Sequence, residues 1–227
     1  MRVVITGGSS GLGLAMAKRF LADGHRVHLL SRKPAEGVEG AVHHTADLAD
    51  VPAAVSAFKQ AAADGLDVLI NNAGVMQFEN AHDTTAESAG AQIAVNLTAP
   101  IHLSAAAIAI MQRQGTGGQI VNIASVAALK ASPKLAVYSA TKAGLLAYTK
   151  SIAAEYASKN IRANAICPGA VQTGLANRLM WAMIQKSVPM GKLQSAEEVA
   201  SLATWLTSPD ARHVTGSVFS LDGGMSL

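Results

Sequence analysis

Cysteine is nearly missing from this chain: Cys167 stands alone in 227 residues, so no disulfide can form within it. It precedes Pro168 at the end of an apolar run, a setting for a buried inert thiol rather than a nucleophile. Aromatic residues are also scarce at 4%, and charged ones make up only 15%. Eighteen Lys and Arg against fifteen Asp and Glu leave +3, and no basic stripe is interleaved with aromatics. That composition excludes the electrostatic footprint of a nucleic-acid binder. Long hydrophobic runs are missing as well. The longest, IHLSAAAIAIM over 101–111, contains His and Ser and is too short to span a bilayer. No charged-then-apolar leader precedes the first strand-like run. The expectation is a soluble cytoplasmic protein with no membrane and no nucleic-acid partner.

What the chain has in quantity is Ala, Val, Ile, Leu and Gly, which suit close packing of helices on a sheet. Strands are predicted at Arg2–Thr6, Arg26–Ser31, Val42–Thr45, Val68–Asn71, Gln119–Ala124, Arg162–Cys167 and Ser217–Leu221, most of them near-continuous apolar runs. Helical stretches alternate with them: one from the first glycines to Gly24, then Val51–Ala63, Ala86–Met111, Val137–Ser158 and Ser195–Thr207. The last opens with Ser195 and Glu198 at capping-box spacing. The alternation predicts one α/β domain, 1–227, a doubly wound parallel sheet of about seven strands with helices on both faces. Between the second and third strands only KPAEGVEGA (33–41) is available. A crossover with its helix needs about ten to twelve residues, so no helix is expected there and that flank should be thinly covered.

The stretch TGGSSGLG follows the first strand and opens a helix, with Gly7, Gly11 and Gly13 in the pattern T-G-x-x-x-G-x-G. Glycines permit close backbone approach, and the helix N-terminus offers free N–H groups and positive dipole to a pyrophosphate. Ser9 and Ser10 add hydroxyls within the turn. The second strand ends LLSRKP. In a dinucleotide site an Asp at that tip would accept from the ribose 2′-OH and repel a 2′-phosphate. Ser31, Arg32 and Lys33 stand there instead, and a guanidinium suits a phosphate in shape and charge. NADP(H) is therefore favoured, with NAD(H) left open.

Further along come NNAG (71–74), Asn96, IVNIAS ending at Ser125, YSATK (138–142), CPG (167–169) and LDGG (221–224). Of the three tyrosines only Tyr138 has a Lys four residues on, and it has Ser125 thirteen residues upstream. Taken in this order, the set resembles the short-chain dehydrogenase/reductase family, with its Rossmann-like fold, over essentially the whole chain. The resemblance implies a catalytic tetrad of Asn96, Ser125, Tyr138 and Lys142. It implies a cofactor turn of Gly7, Ser9, Ser10, Gly11, Leu12 and Gly13, and an adenine-reading Asp47 with the backbone of Leu48. It further implies that Asn72, Ala73 and Gly74 line the adenosine ribose, and that Pro168, Gly169, Val171 and Thr173 touch the nicotinamide. Members of the family are commonly homotetramers or dimers that pair two long helices, here roughly 96–112 and 137–158. Ser10 occupies a place where NADP-linked members often carry a basic residue, so NADP rests on Arg32 and Lys33.

The chemistry follows from the residues. Hydride addition to a carbonyl builds negative charge on oxygen, and Tyr138 can deliver the proton, although a free phenol has pKa about 10. Lys142, one turn on, shares its helix face, and its charge is expected to lower that pKa and to hold the nicotinamide ribose. Ser125 would hold the substrate oxygen, and Asn96 would bend its helix and hold a water leading to Lys142. The segment 173–193 falls where the family carries a substrate lid, with Leu179, Met180, Trp181, Met183 and Ile184 as its apolar cover. Seven histidines show no metal-ligand spacing: His25 and His28 fall on opposite strand faces, and His43 and His44 diverge. The reading is a carbonyl reductase or alcohol dehydrogenase acting on a small carbonyl or alcohol substrate, with no metal. A 3-oxoacyl-thioester reductase and a non-catalytic NADP(H)-binding regulator or scaffold stay as alternatives. Sugar-nucleotide epimerases need a further substrate region that this length does not hold.

Overall fold

The computed structural model describes residues 1–171 and 184–227. Seven strands form one parallel sheet: β1 (Arg2–Thr6), β2 (Arg26–Ser31), β3 (Val42–Thr45), β4 (Val68–Asn71), β5 (Gly118–Ile123), β6 (Ile161–Pro168) and β7 (Val218–Leu221). Their spatial order is β3-β2-β1-β4-β5-β6-β7. The chain steps outward from β1 to β3, then returns to lay β4 on the other side of β1. That reversal opens a crevice at the carboxyl ends of β1 and β4, where ligands of open α/β sheets bind.

Successive residues of β1 bury on opposite faces. Val3 and Ile5 join a cluster with Met16 and Phe20 of α1 (Gly11–Ala22) and with Val199 and Leu206 of the last helix. Val4 joins Phe58 of α2 (Val51–Ala61) and Leu103 and Met111 of the long helix. Both faces are covered, which is why the strands read as continuous apolar runs rather than alternating ones. The long helix is α3 (Ala86–Ile93) running through a π turn (Ala94–Thr98) into α4 (Ala99–Gln114). By length and composition alone, Ala86–Gln114 is apolar enough to cross a membrane. The 101–111 run judged too short is thus part of a longer helix, whose apolar side packs on the sheet and α2. On the same face lies α5 (Ala136–Tyr156), and α6 (Ala196–Thr207) completes the other. The expected capping box starts α6: Glu198 N–H donates to Ser195 Oγ at 3.2 Å, and Ser195 N–H donates to Glu198 Oε2 at 2.7 Å.

No helix joins β2 to β3, as the length of that connection requires. The flank is thinly covered, as expected: Val42 of β3 is 50% exposed, and from the connection only Val38 is buried on the α1 side, with Ala35 and Ala41 packed against the same cluster.

Candidate active site

The glycine turn is built by close approach. Gly7 has φ +68°, and a Cβ there would stand 2.9 Å from Ala73 Cα. A Cβ on Gly13 would stand 2.2 Å from the Gly7 carbonyl oxygen, so only glycine lets α1 start this near β1. Asn72 fastens the turn by donating from Nδ2 to the Thr6 carbonyl at 2.9 Å and the Gly7 carbonyl at 3.3 Å. Thr6 Oγ1 in turn accepts from Asn72 N–H and Ala73 N–H, both at 3.0 Å. Ser10 is the N-cap of α1, yet its side chain makes no capping bond, and the first turn carries no acid. Gly11 takes φ +53° there. An uncapped helix start with exposed Ser10 and half-buried Ser9 and Leu12 suits an anionic pyrophosphate.

Beside this turn, Arg32 and Lys33 are exposed at the tip of β2, and Ser31 is buried behind them. Asp47 is exposed past β3 and accepts from Ala49 N–H at 3.0 Å, while the Leu48 side chain goes into the core. At the other end of the crevice, Pro168 closes β6 and Gly169 N–H donates to the Leu221 carbonyl at 3.0 Å. A Cβ on Gly169 would stand 2.7 Å from Asp222 Cα. Val171 bridges to Gln194. Thr173 and the residues Leu179, Met180, Trp181 and Met183 lie outside the described residues.

The four residues of the expected tetrad meet at the carboxyl ends of β4 and β5. Ser125 follows β5 and its Oγ accepts from Ala127 N–H at 3.1 Å. Tyr138 is in the first turn of α5, and Lys142 lies one turn on, its Nζ 5.8 Å from the Tyr138 ring centre. Lys142 Nζ donates to the Ile123 carbonyl at 2.8 Å. Asn96 sits in the π turn and is fully buried. Its amide clasps the loop after β4 from both ends, donating to the Val75 carbonyl and accepting from Val75 N–H, each at 2.8 Å. It also donates to Thr141 Oγ1 at 3.3 Å, and Thr141 donates to the Tyr138 carbonyl at 2.7 Å. Gly74 leaves room at this corner, where a Cβ would come within 3.5 Å of Lys142 Nζ.

Burial governs the protonation states. The Lys142 ammonium is almost wholly desolvated, which pushes its pKa down from 10.5 to about 8. The neighbouring Cys167 thiol is pushed up to about 11 by burial, so it stays protonated and inert. The Tyr138 phenol lies above its ordinary value, chiefly because it is desolvated, and the hydrogen bond with Ser125 opposes that rise. The lowering expected from Lys142 is not seen: the groups that act on the phenol are its own burial, Ser125 and Cys167.

Sequence reasoning passed over the polar chain behind the site. Asn71 Nδ2 donates to Asn122 Oδ1 at 2.8 Å and to Ser104 Oγ at 3.0 Å, and Asn122 Nδ2 donates to Thr149 Oγ1 at 2.8 Å. It ties β4 and β5 to α4 and α5 behind the four residues. The signal was an Asn interrupting two otherwise apolar strands, VLIN and GQIVNI. The rim is apolar: Val75, Met76 and Phe78 are exposed on the loop that Asn96 clasps, and Met190 is exposed near the carboxyl terminus.

A family model described as Enoyl-(Acyl carrier protein) reductase matches residues 7–226. The chain is 36% identical over 243 residues to 3beta-hydroxysteroid dehydrogenase 1 of Eggerthella lenta, covering 99% of this chain and 93% of the relative. Among solved structures it resembles the 3-ketoacyl-(acyl-carrier-protein) reductase of Brucella melitensis complexed with NADH. That match has TM-score 0.93 and 32% identity, over 99% of this chain and 98% of the other. A protein given the name of a 2-deoxy-d-gluconate 3-dehydrogenase, from Agrobacterium tumefaciens with bound NADP, aligns at TM-score 0.92 and 29% identity. The alignment covers 99% of this chain and 96% of that one.

Proposed function

Because the chain belongs to the short-chain dehydrogenase/reductase family, oxidoreductases acting on CH–OH and carbonyl groups, we propose that it is an NADPH-dependent carbonyl reductase. It interconverts a ketone and a secondary alcohol, with Tyr138 as the acid and base. A bound nicotinamide supplies or accepts the hydride. Everything else is done by this chain's own residues. The glycine turn and the uncapped start of α1 hold the pyrophosphate. Ser125 donates its hydroxyl hydrogen to the substrate oxygen and holds it near Tyr138, whose hydroxyl protonates that oxygen as charge builds on it. The observation that carries this reading is the pairing of Tyr138 with Ser125 on one side and buried Lys142 on the other.

A phenol held above its ordinary pKa is in the protonated form a reduction needs at neutral pH. Lys142, with its charge directed into a dry corner, stabilises the phenolate that remains and is placed for the ribose hydroxyls. The Asn96 side chain is committed to Val75 and Thr141. A water leading to Lys142 would therefore be held by backbone carbonyls of the π turn rather than by that side chain, and the water, not the carbonyls, would carry the proton. Neighbours in the fold carry either cofactor, and what supports NADP over NAD here is the pair of exposed cations Arg32 and Lys33. The apolar rim of Val75, Met76 and Phe78 favours a substrate with an apolar end. We read residues 1–227 as one catalytic domain with a lid over 173–193, assembling in the cytoplasm as a homotetramer or dimer through α4 and α5. A 3-oxoacyl-thioester reductase is the second reading, favoured by the similarity to a 3-ketoacyl-carrier reductase.

The test is NADPH consumption by the purified protein over a carbonyl panel that includes 3-oxoacyl thioesters, with NADH in parallel. Turnover is expected to be faster with NADPH and to fall by about a hundred- to ten-thousand-fold in Tyr138→Phe. Cofactor binding without turnover on any carbonyl would move the reading to a non-catalytic binder.

A further inference from the structure

The tip of β2 is held by a hydrogen-bond relay that the cofactor turn does not include. In the β2–β3 register Leu29 lies beside His43, and Leu29 faces the α1 cluster. His43 therefore stands on the α1 side of the sheet, the side on which the glycine turn opens. Its Nε2 lies 3.0 Å from the Ser31 carbonyl oxygen and 3.2 Å from Ser31 Oγ. A carbonyl only accepts, so Nε2 is the nitrogen that carries the hydrogen. Ser31 Oγ passes its own hydrogen to the Lys33 carbonyl at 2.7 Å. The Ser31 carbonyl also accepts from Ala46 N–H at 3.1 Å. Ser31 is buried, so this relay is shielded from water, whereas Arg32 and Lys33 are exposed. Among the described residues neither cation is held in an ion pair.

We propose that His43 is a positioning residue for the 2′-phosphate: through the Ser31 relay it fixes the backbone that presents Arg32 and Lys33. The inference rests on the NADP reading above and adds to it a residue on another strand. The connection from β2 to β3 has no helix to hold it. Two long cations on a free turn would lose backbone as well as rotamer freedom on binding. With Ser31 and Lys33 tied to β3, only their rotamers remain to be ordered. The Ser31 hydroxyl hydrogen is committed to Lys33, so Ser31 shapes the turn instead of donating to a phosphate.

The experiment measures binding without turnover, by titrating 2′,5′-adenosine bisphosphate and 5′-AMP into the wild-type protein and into His43→Leu, His43→Gln and Arg32→Ala. His43→Leu removes the donor, while the Gln amide nitrogen reaches where Nε2 stands. His43→Leu is expected to weaken the bisphosphate about five-fold, the worth of one hydrogen bond, and to leave 5′-AMP within about two-fold. His43→Gln should recover most of the loss, and kcat with NADPH should hold in both variants. Equal weakening of both ligands, or no recovery with Gln, would make His43 a merely structural residue and overturn the proposal. If Arg32→Ala weakens the bisphosphate and His43→Leu does not, the proposal fails while the NADP reading stands. If Arg32→Ala leaves the preference for the bisphosphate untouched, both fail.

Discussion

The corner around Lys142 and the edge around Arg32 are built in opposite ways. At the corner, Asn96, Thr141 and Lys142 are all buried, and each bonds to a backbone carbonyl or a neighbouring side chain fixed by a helix or strand. At the edge, the charged groups are in water and only the turn beneath them is tied down. Burial makes the corner able to shift protonation states, at a cost in stability. Exposure means that substitutions at the edge should cost the fold almost nothing. On the proposed reading, chemistry and specificity are thus separated along the carboxyl ends of one sheet.

The largest test of that contrast is Lys142→Met. The variant should lose at least about a hundred-fold in kcat and yet unfold at a higher temperature than the wild type. The reason lies in the sign of the shift. Burial brings the Lys142 pKa to about 8 in the folded chain against an ordinary 10.5. Between those values the unfolded chain holds a proton that the folded chain has released, so wild-type stability from this group rises with pH across that window. Urea titrations from neutral to alkaline pH would detect the rise, and Lys142→Met should lack it. Carbonyl reduction in the wild type should decline above about pH 8, where Lys142 loses its charge. A Lys142→Met protein less stable than wild type would mean that the bond to Ile123 outweighs desolvation, and the contrast would weaken.

At the edge, Arg32→Asp should do the reverse. The KM for NADPH is expected to rise about ten- to a hundred-fold, the range for losing a charge-assisted bond, with kcat for the better cofactor kept. Because Arg32 is exposed and pairs with no acid among the described residues, stability should move by no more than about 0.5 kcal/mol. Steady-state kinetics with both cofactors and one urea curve settle it. A large loss of stability would show that the edge is also structural.

How much of this was legible before folding follows the same division. The inner strands read clearly because a parallel sheet buried on both faces writes nearly uninterrupted apolar runs, whereas the edge strands VHHT and VFSL are half-exposed; the bounds of all seven fall within a residue of those expected. Tyr138, Lys142 and Ser125 were legible because their spacing is rare in combination. The break over Ala94–Thr98 was legible only in part: Asn96 was expected to bend its helix, but nothing in AVNLT says that the bend is a π turn. Within it Asn96 reaches Val75, a contact 21 residues away that no local pattern announces. The Tyr138 shift was expected downward because Lys142 is visible in sequence, whereas desolvation depends on what packs over the ring. For the same reason His28 and His44 looked unrelated. Only the β2–β3 register brings His28 Nδ1 within 3.0 Å of His44 Nε2, on the face opposite His43.

The smallest effect should come from Val38, the buried anchor of the connection between β2 and β3. If the edge is a presenting turn fastened from below, loosening its far end should matter slightly for binding and hardly at all for chemistry. Val38→Ala removes two methyl groups from the α1 cluster, a loss of about 1 kcal/mol in folding free energy. Its neighbours Ala35 and Ala41 are too small to fill the gap, yet the site lies near solvent, so part of the cavity can close. The Kd for NADP⁺ should rise by no more than about three-fold, with kcat unchanged, because Ser31 and Lys33 remain tied to His43. Calorimetry and a urea midpoint measure both on one sample. A ten-fold rise in Kd would mean that the turn is positioned by packing on α1 rather than by its bonds to β3, and the division between a buried corner and a freely adjustable edge would no longer hold.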